Sequence, residues 1–238
     1  MMNASCRMFG FMVKQISKEL MMIMLVISPF LVGIFFKFGV PLLESKVLER
    51  FGYGDVIKPY YELFSWLLAM LTGMMFAFVG GLVVLGEIDD GIAKYIMVTP
   101  PGEFGYLFSR IVFPAIISGA VTALILPFFS LAKLSVISLL VMVVSTVLCG
   151  IITAFLVVTI SSNKVEGMAV GKISGLFGVT FFVPLFVKGT VKYLFVIFPM
   201  YHVGLWSEEG NVWYLILATV LFAVWAGTLY KLFRKKFV

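Results

Sequence analysis

Seven stretches of the chain contain no Asp, Glu, Lys or Arg: residues 20–36, 63–86, 111–132, 134–163, 173–187, 193–207 and 210–230. A helix needs about 20 predominantly apolar residues to cross the hydrocarbon of a bilayer. Four of the seven reach that length unaided. Residues 20–36 reach it by running on past Lys37, whose long stem lets the ammonium snorkel outward. Residues 173–187 reach it by extending back through Lys172 to Gly167. The stretch 193–207 is short, is broken by Pro199 and carries His202 and Trp206, which predicts a re-entrant or interfacial segment before the last span. The pattern therefore predicts an all-α polytopic membrane protein of about six transmembrane helices, a single domain over residues 1–238.

Ahead of the first span, Met8, Met12, Ile16 and Leu20 recur at helical spacing, while Arg7, Lys14 and Lys18 share another face. That suits a helix lying in the inner interface. A plain basic flank is the blander reading. A cleaved signal peptide is disfavoured, since no small-x-small site follows the apolar run. After the last run come Lys231, Arg234, Lys235 and Lys236 with no acid, so both ends read as cytoplasmic and the number of spans as even. The expected inner loops are roughly 87–109 and 161–171. The outer ones are roughly 38–61, a tight turn near Lys133, and 188–209.

Composition closes off the soluble classes. Hydrophobic residues make up 62% of the 238 and charged residues 13%, half of the roughly 25% usual in a soluble domain, and mean hydropathy is +1.12. A water-soluble fold of this size cannot hide that much apolar surface. The net charge of +6 then belongs to the lipid interface, because no long polar stretch offers a basic face to nucleic acid. Cys6 and Cys149 have no metal-ligand spacing and read as ordinary thiols.

The most informative inner segment runs from Gly86 to Pro101, with acids at Glu87, Asp89 and Asp90. A short amphipathic helix is expected over 91–98, grouping Ile92, Tyr95 and Ile96, with Thr99-Pro100-Pro101 as its stop. An acidic pair, Gly, a short apolar stretch and Thr-Pro in this place resemble the coupling segment of ABC-2 type transporter permeases, which commonly reads Glu-x-Glu-x-Gly-Thr with Pro some eight residues on. Glu87, Asp89, Gly91 and Pro100 match; Ile92 stands where Thr is usual. The inner stretch 163–172 resembles the same family and is closest to small drug-export permeases such as the fluoroquinolone export permeases.

That resemblance implies a multi-pass protein of the prokaryotic cytoplasmic membrane, the permease subunit of an exporter. Residues Glu87, Asp89, Asp90, Gly91, Tyr95, Thr99 and Pro100 would dock on a separate ATP-binding subunit, which holds the ATP and Mg. A second copy or a related permease would complete the dimer. Replacing Glu87 and Asp89 together by Ala is expected to leave folding intact and to weaken coupling. The chain itself has no phosphate loop: Gly167 to Lys172 falls one residue short and Ile173 replaces the hydroxyl. It is therefore expected not to be an enzyme and to hold no cofactor or metal of its own.

Gly167, Gly171 and Gly175 share a helical face that admits a close neighbour, either within the chain or at a dimer seam. Phe181, Phe182 and Phe186 are candidates for a substrate path, and equally for ordinary packing. His202, the only histidine, reads as structural. The cargo class expected is an apolar or amphipathic drug, peptide antibiotic or lipid-like molecule. An ATP-independent carrier or channel and a non-transporting scaffold or immunity protein stand as alternatives. A carrier is disfavoured because ionisable groups fall near predicted span ends. A metal-dependent membrane phosphotransferase fails because Asp90 is the last aspartate.

Overall fold

The computed structural model describes residues 2–48, 57–98 and 102–237, with side chains over 8–46, 57–98, 102–236. In chain order the helices are α1 (Met2–Ile16), α2 (Leu20–Lys46), α3 (Lys58–Asp89), α4 (Ile92–Met97), α5 (Gly102–Phe129), α6 (Val136–Ile160), α7 (Lys164–Phe186), α8 (Pro199–Glu209) and α9 (Val212–Lys236). Among the described residues there is no strand, and α2, α3, α5, α6, α7 and α9 are long and apolar enough to span a bilayer.

The bundle is built around α3. Its most apolar stretch is 72% buried, against 22% for α2 and 17% for α9, so the latter two leave most of their surface uncovered by the rest of the chain. Lipid tails supply no hydrophobic force between helices, and association rests on close van der Waals packing. The sequence of α3 meets that need with glycines. At Gly73 an added Cβ would sit 2.7 Å from both the carbonyl oxygen and the Cγ2 of Thr146 in α6. Opposite it, Gly150 packs on the Gly73 carbonyl, and the Thr146 hydroxyl donates to the Ala69 carbonyl at 3.1 Å. On another side, Gly80 lies directly against the Arg110 carbonyl of α5.

The described ends of the chain and the ion pairs of Arg110, Lys164 and Arg234 described below lie at one end of the bundle, as an even number of spans requires. At the other end, Ser65 of α3 and Ser130 just beyond α5 share a hydrogen bond of 2.7 Å, and the Tyr61 hydroxyl donates to Glu44.

The inner loops are shorter than the charge-free runs predict. Helix α3 continues through Glu87 to Asp89, and α5 already begins at Gly102, so the expected loop 87–109 shrinks to the stretch around α4. Likewise α7 starts at Lys164. Asn163 caps it by accepting from the Glu166 amide at 2.9 Å, while Glu166 accepts from the Ser162 amide, a variant of the capping box. Several of the charges that enter these helices find partners. Lys37, inside α2, donates to the Phe128 carbonyl of α5.

The segment before the last span dips inward. The Trp225 indole donates to the Ile197 carbonyl at 3.0 Å, and Phe198 stacks on the same indole at 6.0 Å. Trp225 lies roughly 20 Å along α9 from Val212, about two-thirds of the way across a hydrocarbon core. The turn at 196–198 therefore reaches deep between α7 and α9, with Phe177 of α7 packed edge-on against both rings. From there α8 climbs back, and Gly210 in the left-handed conformation (φ 70°) reverses the chain into α9. His202 is 3% exposed; its Nε2 donates to the Val196 carbonyl at 2.8 Å and closes the turn.

Because Gly73 has backbone on its far side, Gly73→Ala should cost about 1–3 kcal/mol through overpacking. Gly227→Ala, exposed on α9 with nothing within 4 Å, should leave stability unchanged or slightly raised. Thermal unfolding in mild detergent compares the two.

Candidate functional site

At the charged end, helix ends meet in pairs. Lys164 at the start of α7 forms an ion pair with Glu19 before α2, and its backbone amide donates to Asp89 at the end of α3, 2.9 Å. Arg234 of α9 pairs with Glu103 of α5 at 3.2 Å. Lys236 donates to the Thr159 and Ser161 carbonyls at 3.0 and 2.7 Å, satisfying acceptors that the end of α6 leaves free.

From this frame the segment after α3 projects. Asp89 and Asp90 are exposed, and Gly91, at φ 70°, supplies the left-handed turn that starts α4. The helix covers 92–97, close to the expected 91–98, but its faces differ from the expected grouping. Ala93 is buried, with Ile96 and Met97 packed on the core, while Ile92, Tyr95 and Val98 face outward, Tyr95 76% and Val98 84% exposed. Thr99 and Pro100 lie outside the described residues.

Glu87 does not join that surface. It is 5% exposed, and both its oxygens accept from Arg110 of α5: Nε at 3.1 Å to each, Nη2 at 2.6 Å to Oε1. Arg110 is 3% exposed, and its remaining nitrogen, Nη1, donates to the Met8 carbonyl of α1 at 2.5 Å. The Tyr106 ring lies 5.9 Å from the guanidinium carbon. Arg110 sits in a π-helical stretch, Phe108–Val112, where the wider turn redirects side chains. Glu87, expected on the docking surface with Asp89, is instead buried in an ion pair between α3 and α5. Arg110 did not stand out in the sequence; the available signal was one arginine just before an apolar run and one glutamate just after the preceding one.

The glycine face of α7 turns onto α3 of the same chain. Leu85 lies against Gly167 and Phe78 against Gly171, while Gly175 meets Met74 at an ordinary 3.4 Å. Where this seam loosens, a cavity of about 540 Å³ opens between α2, α3, α6 and α7. Five thioethers line it, from Met21, Met70, Met74, Met75 and Met168; Lys172 is the one charged residue on its wall. Methionine is flexible and polarisable, and such walls re-pack around differently shaped apolar ligands.

The three phenylalanines part company. Phe181 is fully buried and stacks on Trp66 with ring centres 4.4 Å apart, so it is a packing residue and does not line a path. Phe182 and Phe186 border a second apolar groove of about 370 Å³ with Tyr60, Leu63 and Phe64. Leu67 borders both spaces.

The family description for fluoroquinolones export permease protein Rv2686c-like matches residues 12–230. The chain belongs to this export permease family. The match takes in five of the spans whole and the sixth as far as Tyr230. Among curated proteins and solved structures, none matches it. In this permease, then, the methionine-lined cavity and the exposed α4 lie within the region that defines the family.

Glu87→Ala in the permease leaves Arg110 buried without its partner and should cost about 3–5 kcal/mol. Asp90→Ala, at an exposed position, should stay within about 0.5 kcal/mol of the parent. Melting temperature and folded yield in detergent report both.

Proposed function

We propose that the chain is the membrane subunit of an ATP-binding-cassette exporter that moves an apolar or amphipathic compound out of the cell. A separate ATP-binding subunit supplies ATP and Mg, and two permeases, two copies of this chain or one with a relative, form the translocating unit. Drugs, peptide antibiotics and lipid-like molecules fit the cargo class, and a fluoroquinolone is the first compound to assay because the family description names it. The supporting observation is the outward stripe of Ile92, Tyr95 and Val98 on a short helix held at the charged end. Apolar side chains that the rest of the chain leaves uncovered at that place suit a protein groove. The resemblance of Glu87, Asp89, Gly91 and Pro100 to the ABC-2 coupling pattern supports assigning that groove to an ATP-binding subunit. On this reading both termini face the cytoplasm and the methionine-lined cavity receives cargo.

The carrier alternative gains one observation, an ionisable pair, Glu87 and Arg110, inside spanning helices. The two charges neutralise each other at the charged end rather than at mid-depth, which suits a structural joint better than a proton relay.

Ile92→Asp with Tyr95→Asp should abolish copurification of an ATP-binding subunit from native membranes while folded yield is kept. Retention of the subunit by that variant would count against docking through α4. Gly175→Leu, which adds bulk on the cavity wall where the neighbouring Met74 can yield, should cut transport at least tenfold with the ATPase subunit still bound. Uptake of a fluorescent fluoroquinolone into inverted vesicles measures it.

A further inference from the structure

We propose that Arg110 is a positioning residue that joins the segment around α4 to the amino-terminal helix and, through it, to the wall of the cavity. The inference rests on the exporter reading only for its consequence in transport; the joint itself stands on geometry. One guanidinium holds three elements. Two of its nitrogens grip Glu87, two residues before the turn that launches α4. The third holds the Met8 carbonyl in the middle of α1. The planar fork makes this three-way grip with rigid geometry that a lysine ammonium does not reproduce.

What lies beyond α1 gives the joint a direction. A short hydrogen-bonded turn, Ser17 to Glu19, leads from α1 straight into α2. The first turns of α2 carry Met21 and Leu25, which line the cavity. Glu19, in the turn itself, pairs with Lys164 at the start of α7, the helix that forms another wall. A load on α4 therefore passes from Glu87 through Arg110 to α1, and from α1 to α2 and α7. Besides Arg110, α1 is held by apolar contacts: Met12 is buried with Met22, Val79, Leu82 and Val83, Phe9 and Ile16 pack on that cluster, and the Phe9 ring lies 4.7 Å from that of Phe113 in α5. The guanidinium adds a polar tie between α1 and the Glu87 carboxylate of α3. Coupling of this kind requires a contiguous physical connection whose equilibrium both ends bias.

Two variants of the full chain in lipid nanodiscs test the joint. Arg110→Lys keeps a positive charge beside Glu87 and gives up the fork. The double variant Glu87→Leu with Arg110→Met replaces the buried pair by apolar groups of similar size, a change that buried ion pairs commonly tolerate without loss of fold. In each, amides of residues 8–16 should exchange with deuterium about tenfold faster than in the parent, while amides in the middle of α3 exchange at the parental rate. In vesicles with the ATP-binding subunit, transport per ATP hydrolysed should fall about tenfold, with the amount of bound subunit unchanged. Parental protection of α1 in the double variant overturns the joint, as does parental transport per ATP in both variants. If the parent chain binds no ATP-binding subunit at all, the exporter reading fails, and exchange in α1 still decides whether Arg110 holds the helix.

Discussion

The architecture depends on how closely other helices can approach α3. In water a central helix would be gripped by apolar burial, but in lipid a leucine gains nothing by leaving the tails for a neighbouring helix. What remains is contact, which grows as axes come together, and α3 meets it with bare backbone at Gly73, Gly80 and Gly81. The carbonyls of Thr146 and Arg110 occupy the space that side chains would fill. This fixes α6 and α5 against α3 at chosen heights. Once Gly80 seats the Arg110 backbone, the Arg110 side chain is at the right level to find Glu87, so the glycine seam and the buried ion pair are one arrangement.

That pairing also explains which parts of the fold were legible in the sequence. Six spans could be read from length and apolarity alone, because the bilayer imposes both on any helix that crosses it. Loop boundaries could not, because a charge that finds a partner does not end a span. Glu87 and Arg110 lie inside helices since each neutralises the other, and Lys37 since it reaches a carbonyl. Such pairings join residues 23 and 91 positions apart, and no local pattern announces them. By contrast the start of α7 was signalled locally: Asn163 followed three residues later by Glu166 is a helix-start pattern that a charge-based boundary passed over.

The candidate site was legible to a similar degree and for similar reasons. The existence of a short helix near 91–98 follows from Gly91 and the prolines, which are local. Its outward face does not, because which side of α4 is buried depends on the core meeting Ala93, Ile96 and Met97. The phenylalanines show the limit most clearly. In a chain with 25 of them, only the partner distinguishes Phe181, stacked under Trp66, from Phe186 at an open groove.

The contrast between the two sides of α3 bears on how such a bundle could change shape. Towards α5 and α6 the closest contacts, at Gly73 and Gly80, are against the carbonyl oxygens of Thr146 and Arg110, and close-packed contacts of that kind yield little. Towards α7 the upper part of the seam is thioether against glycine, with the cavity beside it. Methionine side chains re-pack at small cost, so α7 and the outer helix α2 can shift against a block formed by α3, α5 and α6. The ties at the charged end fall on the same division. Glu19 to Lys164 joins the two movable helices to each other, and Arg110 with Asp89 joins them to the block. A structure divided in this way is stiff where force would enter and compliant where an apolar molecule would be held, and both properties follow from which residues face α3.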